Sequence, residues 1–434
     1  MDPSQLFFPS QAIRKQRSFL SGRRDVIKLA VRHLTTPGTS LLIYGQRGIG
    51  KTTVGWQTLD LLLGNKDLLG IWKEKALDVT GQYKCAWIQC HKHLGTIENS
   101  ILYSFARLRG SGSFFDEFPE VYEEFEVERT AKEKFKLDLR LFAYESEKSA
   151  KLSIESASDT SRKLIEESEE RTSSVRLLLH DVVARLHQKF PDHEVVIFID
   201  EVDLLERLNP DENEIRGPGT LIKEFDHAKF VFIGIGRSAS DLIKGHKSVQ
   251  RKLRYLEVGR LSEDESGWIL QRAEGAARGR LIFTNEARTI LLEASNGSPF
   301  VLQRLGLDAV WISLDSSPSL DSITVDAEHA RMCITQYVRG EALLDDYSNL
   351  VSILKSQEDR KIEILKRIAE ASSQTMSVRT LMSKIKDSSV RWLPKNVDSM
   401  VEDGILYRDA KDSVSFTDPV MRLIVLYQEG LDVE

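Results

Sequence analysis

Cysteine is scarce in this chain of 434 residues. The three present, Cys85, Cys90 and Cys333, are too few and too unevenly spaced for a disulfide framework or a zinc site. Cys85 and Cys90 flank an apolar run, where buried thiols are the expectation. Long hydrophobic runs are missing as well: no stretch approaches the ~20 apolar residues that a bilayer-spanning helix needs, so no membrane partner is expected. Met1 to Leu20 mixes Pro3, Pro9, Lys15 and Arg17 with scattered apolar residues and lacks the hydrophobic segment of a secretory signal. The expected location is cytoplasmic. Positive charge is not in excess either. A net charge of −6 offers no general attraction to nucleic acid, so any DNA contact would have to come from a local patch. No internal repeat is visible.

What remains is the composition of an ordinary globular protein, 41% apolar and 29% charged, with enough length for two or three domains. FLSGRRDVIKLAVRHL, from Phe19 to Leu34, starts as a loop with Gly22 and continues as an amphipathic helix. SLLIYGQRGIGKTTVGWQTLDLLL then gives a short apolar strand, a glycine-rich loop and a helix. Further strands are expected at Cys85 to Cys90, at Val195 to Ile199 and at Lys229 to Gly236. Strands alternating with helices imply a parallel sheet sandwiched between helices, an α/β fold.

The texture changes between Ser111 and Arg171, which is rich in charge, serine and glutamate and reads as an insertion over about 111–172. Leu261 to Tyr337 is expected to be helical throughout, with Ser262 and Glu265 forming a capping box at its start. From Asp359 onward the pattern is three helices, two short strands around Ala410 to Asp412 and a final helix, the outline of a winged helix. The expected domains are therefore a nucleotide-binding domain over 1–260, a helical lid over 261–345 and a winged helix over 355–434.

The chemistry is concentrated in Gly45-Gln46-Arg47-Gly48-Ile49-Gly50-Lys51-Thr52, which matches G-x-x-x-x-G-K-[ST] without a mismatch. Glycines let backbone amides turn toward phosphate oxygens, and the amino terminus of the following helix, through Thr53, adds partial positive charge. Lys51 would bridge the β- and γ-phosphates of ATP, and Thr52 would bind Mg2+. Downstream, IFIDE places Asp200 and Glu201 at the carboxyl end of an apolar strand, the edge where open α/β sheets bind ligands. Asp200 is expected to serve the metal and Glu201 to polarise the attacking water. Asp203 reads as a helix cap or a supporting group.

GQRGIGKTT, IFIDEVD, the preceding FLSGR and a helical lid before a winged helix together resemble the AAA+ class of P-loop ATPases, especially its origin-recognition-like and STAND-like branches. The likeness covers most of the chain except the insertion. For Gly22 and Arg23 it implies packing near the adenine. It implies a polar sensor at the end of the strand Lys229 to Gly236, in Gly234-Ile-Gly-Arg-Ser, where Gly236 replaces the usual asparagine or threonine and either Arg237 or Ser238 would have to serve. It implies an arginine finger in GHKSVQRKLRYLEVGR, with Arg251 the first choice and Arg254 the second. In NGSPFVLQRLG, Phe300 stands where many relatives carry a sensor arginine and Arg304 follows one turn later. The G-x-P-F form is closer to the STAND-like branch, in which Pro299 would contact the nucleotide.

The leading expectation is an ATP-dependent switch that assembles as a homo-oligomer and acts on DNA, through the winged helix, or on a DNA-bound client. The basic residues there, Arg379, Lys384, Lys386, Arg391 and Lys395, are opposed by Asp387, Asp398, Glu402 and Asp403, so a packing or protein-contact role carries equal weight. The alternative is a STAND-type signalling ATPase controlling a separate effector protein. A small-molecule kinase is a weaker third reading, because such kinases rarely carry a lid plus a winged helix.

Overall fold

The computed structural model describes residues 2–9, 12–14, 20–73, 79, 81–91, 97–106, 179–180, 182–202, 221–223, 225, 227–234, 251–316, 322–339, 354, 357, 359–371, 375–385, 392–408 and 413–427. The insertion expected over 111–172 lies outside them. By its internal contacts the chain forms two compact units, one of residues 24–44 and 54–257, the other of 1–23, 45–53 and 258–434.

The first unit is built on a five-stranded sheet. Its elements are α1 (Arg24–Thr35), β1 (Ser40–Tyr44), α2 (Lys51–Leu62, whose first turn falls in the second unit), α3 (Asp67–Ile71), β2 (Gln82–Gln89), α4 (Ile97–Ala106), β3 (His193–Asp200), β4 (Ala228–Gly234) and β5 (Leu253–Glu257). The strand order is β2-β3-β4-β1-β5 and every pairing is parallel. Ser40–Ile43, Val195–Asp200 and Lys229–Gly234 are continuously buried, as strands covered on both faces must be. The three strands expected after β1 are present. The edge strand β5 went unread because it alternates only weakly: Leu253 and Leu256 are buried, but Arg254 and Tyr255 between them are both exposed, as is Glu257.

The sheet core holds Leu42, Ile197, Ile199, Phe230 and Phe232, and Cys85 and Cys90 are buried free thiols, as expected. Lys229 is buried too, its ammonium donating to the Leu34 carbonyl and to Glu194, each at 2.5 Å. Those partners offset the desolvation of its charge. Helix α2 seats on the sheet through Trp56, stacked on Trp87 at 3.7 Å. Gly55 allows this approach, since a Cβ there would lie 2.4 Å from Ile233 Cδ1 and 2.9 Å from the Trp87 ring.

The second unit continues with α5 (Glu263–Ala276), β6 (Leu281–Phe283), α6 (Asn285–Ser295), α7 (Pro299–Ser316), β7 (Ile323–Val325) and α8 (Ala327–Arg339). The uninterrupted helical run expected over Leu261 to Tyr337 is corrected here, because β6 and β7 pair in parallel. Each has three residues, buried at its ends and exposed at its centre, too short to register as a period. The capping box at Ser262 and Glu265 forms as expected, and Asn296, in the left-handed region at φ 46°, closes α6.

The chain then forms α9 (Asp359–Ala369), β8 (Met376–Ser377), α10 (Val378–Lys384), α11 (Leu393–Glu402), β9 (Leu406–Arg408), β10 (Ser413–Phe416) and α12 (Pro419–Tyr427). The three strands make an antiparallel sheet with β10 at its centre. One hydrophobic core runs from Leu270 and Leu302 through Ile364 to Phe416 and Leu423, so the lid and C-terminal segments are packed as one body. Phe7, 2% exposed, joins them against Gly306 of α7. Among the described residues no helix is long and apolar enough to cross a membrane.

Gly55→Val adds three carbons where there is no room for the first, so it is expected to destabilise the protein by about 1–3 kcal/mol. Thermal unfolding measures it; an unchanged midpoint would show that α2 is not seated this closely.

Candidate functional site

The loop between β1 and α2 has its amides turned by glycine. Gly48 sits at φ 69°, and a Cβ on Gly45 would lie 2.5 Å from the Val258 carbonyl. Three of its carbonyls are held by donors. Lys51 Nζ donates to the Gln46 carbonyl at 2.8 Å, Phe300 N donates to the Gly48 carbonyl at 3.4 Å, and Arg23 Nη2 donates to the Ile49 carbonyl at 2.8 Å. Arg23 is 8% exposed with φ at 64°, and burial brings its pKa down to about 10, opposed by Glu265 nearby. Arg23 thus braces the glycine-rich loop from the N-terminal segment.

The Gln46 side chain is fully engaged. Its Nε2 donates to Ser415 Oγ at 2.6 Å and to the Phe416 carbonyl at 3.0 Å, while its Oε1 accepts from Arg260 Nε at 2.9 Å. Arg260 also donates to the Asn296 carbonyl at 3.1 Å, and burial, with Arg422 nearby, brings its pKa down to about 10. Arg47 faces Asp418, whose carboxyl is raised above its ordinary value by burial in spite of that attraction. Thr53 Oγ1 accepts from Ile13 N at 3.2 Å. Pro299 opens α7 beside the loop: a Cβ on Gly50 would lie 4.0 Å from its ring. None of Ser415, Arg260 or Phe416 was marked by sequence reading, because they lie hundreds of residues from Gln46 and belong to no motif.

In the other unit, Asp200 ends β3 at the carboxyl edge of the sheet, 4% exposed, and its Oδ1 accepts from Glu201 N at 2.9 Å. Glu201 sits in the left-handed region at φ 58°, and its Oε2 accepts from Gln89 Nε2 at 3.1 Å. Gln89 is in register with Asp200 on the neighbouring strand. Sequence reading passed over it, although a polar residue closing an apolar strand at the ligand edge is a usable signal.

Other expected residues are not brought into this arrangement. Arg251 is exposed on a helical turn just before β5, and Arg254 is exposed on that strand rather than at a helix end. Arg304 does not reach back along α7 but pairs forward with Asp308 at 2.9 Å. Asp203, Gly236, Arg237, Ser238, Lys386, Asp387 and Arg391 lie outside the described residues.

No family model matches the chain, and no curated protein matches it. Solved structures do. A Walker-type ATPase of Pyrococcus abyssi superposes with a TM-score of 0.51 at 14% identity, over 96% of this chain and 99% of its own. The Aeropyrum pernix ORC1 protein, solved in complex with DNA, gives 0.45 at 13% identity, over 99% and 97%. The Aeropyrum pernix ORC2 protein gives 0.46 at 12%, over 96% and 97%. The first of these shows the fold. The chain has the fold of that Walker-type ATPase, a parallel α/β sheet among helices, as its strand and loop pattern implied.

Glycine adopts the left-handed region without the steric penalty that a glutamate pays, so Glu201→Gly is expected to stabilise the fold by about 0.5–1 kcal/mol. Chemical denaturation reads it, and a net loss of stability would show that the carboxylate's bond to Gln89 outweighs the strain.

Proposed function

We propose that this chain binds ATP with Mg2+ and hydrolyses it, and that the observation carrying this reading is the phosphate loop itself. Its glycines, its braced outward carbonyls and the amino terminus of α2 are the features a polyphosphate requires. The donor set fits. A hydroxyl at Thr52 and a buried carboxylate at Asp200 are hard oxygen ligands suited to Mg2+, which would neutralise charge on the β- and γ-phosphates. Lys51 would exchange or share its bond to Gln46 for one to the phosphates, and the amides of Gly45 to Thr53 would cradle them. Glu201 would orient the attacking water, with the Gln89 amide holding its carboxylate in place. A left-handed backbone at a catalytic carboxylate is a common site of stored strain.

Above this chemistry the proposed role is a nucleotide-dependent, cytoplasmic, homo-oligomeric switch acting on DNA or a DNA-bound partner. The support is the C-terminal segment, in which α9, α10 and α11 precede the β9–β10 pair of an antiparallel sheet, read here as a winged helix, with Arg379, Lys384 and Lys395 on α10 and α11. Arg251, exposed before β5, is the proposed finger for a neighbouring subunit. A second reading, a STAND-type signalling ATPase with a separate effector, is favoured by Pro299 beside Gly50.

Lys51→Ala is expected to abolish nucleotide binding in a calorimetric titration, whereas Glu201→Gln should bind normally and lose turnover by roughly a hundredfold or more. Wild-type turnover in Glu201→Gln would remove Glu201 from its role. Mixing Arg251→Ala subunits with Glu201→Gln subunits should restore some hydrolysis, and no recovery would count against the finger. Light scattering with an ATP analogue separates the two roles: assembly promoted by duplex DNA supports the first reading, assembly indifferent to DNA the second.

A further inference from the structure

We propose that Ser415 and Arg260 are positioning residues for the phosphate loop, acting through Gln46, so that the C-terminal strand β10 sets how Lys51 meets a nucleotide. This rests on the ATPase reading above. Gln46 occupies a free position of the G-x-x-x-x-G-K-T motif, so phosphate binding makes no demand on its side chain. Nevertheless both of its amide hydrogens and its amide oxygen are used, the former by Ser415 and Phe416, the latter by Arg260. Its backbone carbonyl meanwhile holds Lys51. Gln46 therefore touches both the phosphate-binding ammonium and the C-terminal sheet.

The anchoring side is rigid. Ser415 and Phe416 are each 1% exposed, on the central strand of the three-stranded sheet, paired to Tyr407 and Leu406. Arg260 is held by two neutral oxygens, those of Gln46 and Asn296, so its charge is not cancelled within its own hydrogen bonds. A long, rotamer-rich glutamine fixed at three points narrows the positions of its own carbonyl, and with it those of Lys51. The coupling is reciprocal: a nucleotide that draws Lys51 off Gln46 must alter the seating of Gln46 on β10, and a partner that shifts β10 must alter nucleotide affinity.

The test uses the full chain and two variants, Ser415→Ala and Gln46→Met, the latter keeping length while removing all three side-chain bonds. Each is expected to raise the KM for ATP and the Kd for ADP roughly tenfold while kcat stays within about twofold, a split that general loosening of the fold does not produce. Amide exchange gives a second readout in the unmodified protein, informative even where a variant folds poorly: ADP should change exchange at residues 413–416, and Gln46→Met should abolish that response. Unchanged affinity in both variants, together with exchange at 413–416 indifferent to ADP, would overturn the proposal. Failure of the unmodified protein to bind ATP or ADP would sink the ATPase reading and this inference with it, whereas normal binding without the variant effects sinks this inference alone.

Discussion

A peptide cannot point its N–H toward an anion without pointing its C=O away from it, and in this molecule that constraint organises the rest. Three carbonyls of the glycine-rich loop are taken up by donors: Gln46 by Lys51, Gly48 by the Phe300 amide, Ile49 by Arg23. The donors come from the start of α2, from the start of α7 and from the N-terminal segment. The loop is thus a small structure supported from several directions, and this is why residues 1–23 and 45–53 group with residues 258–434 by internal contacts.

The acidic pair Asp200 and Glu201 obeys a different constraint. Asp200 closes a strand buried on both faces, so the sheet fixes its backbone, with Cys90 N donating to its carbonyl at 2.9 Å. Glu201 must then turn the chain sharply away, and it does so in a conformation that glycine would adopt more cheaply. A glycine there has no carboxylate. Keeping glutamate at φ 58° accepts a steric cost of about 1–2 kcal/mol in exchange for a charged group at the sheet edge.

Much of this was legible from the amino-acid order. Continuous apolar runs marked β1, β3 and β4, and the local capping chemistry at Ser262 was correct, because both signals are written in adjacent residues. The phosphate loop was legible since its backbone geometry demands glycine at fixed offsets. What escaped depends on tertiary proximity. β5 alternates weakly at a sheet edge, β6 and β7 are three residues long, and the partners of Gln46 lie 214 and 369 positions away. Arg23 was noticed, but the bond it makes, to a main-chain carbonyl, has no sequence signature.

The choice of arginine around the loop follows from the same long-range arrangement. Arg23, Arg260 and Arg422 donate to main-chain or amide oxygens: Ile49 for the first, Gln46 and Asn296 for the second, Ala369 and Glu293 for the third. Burial depresses all three, yet Arg23 and Arg260 at about 10 still stand well above neutrality, so they keep their charge where a lysine, starting about two units lower, would approach losing it. The nearby Asp418 carboxyl is pushed the other way, toward its neutral form. Two of the three, Arg23 and Arg260, bond directly to the glycine-rich loop, through the Ile49 carbonyl and the Gln46 amide oxygen, so the loop takes its shape from cations that distant segments bring to it.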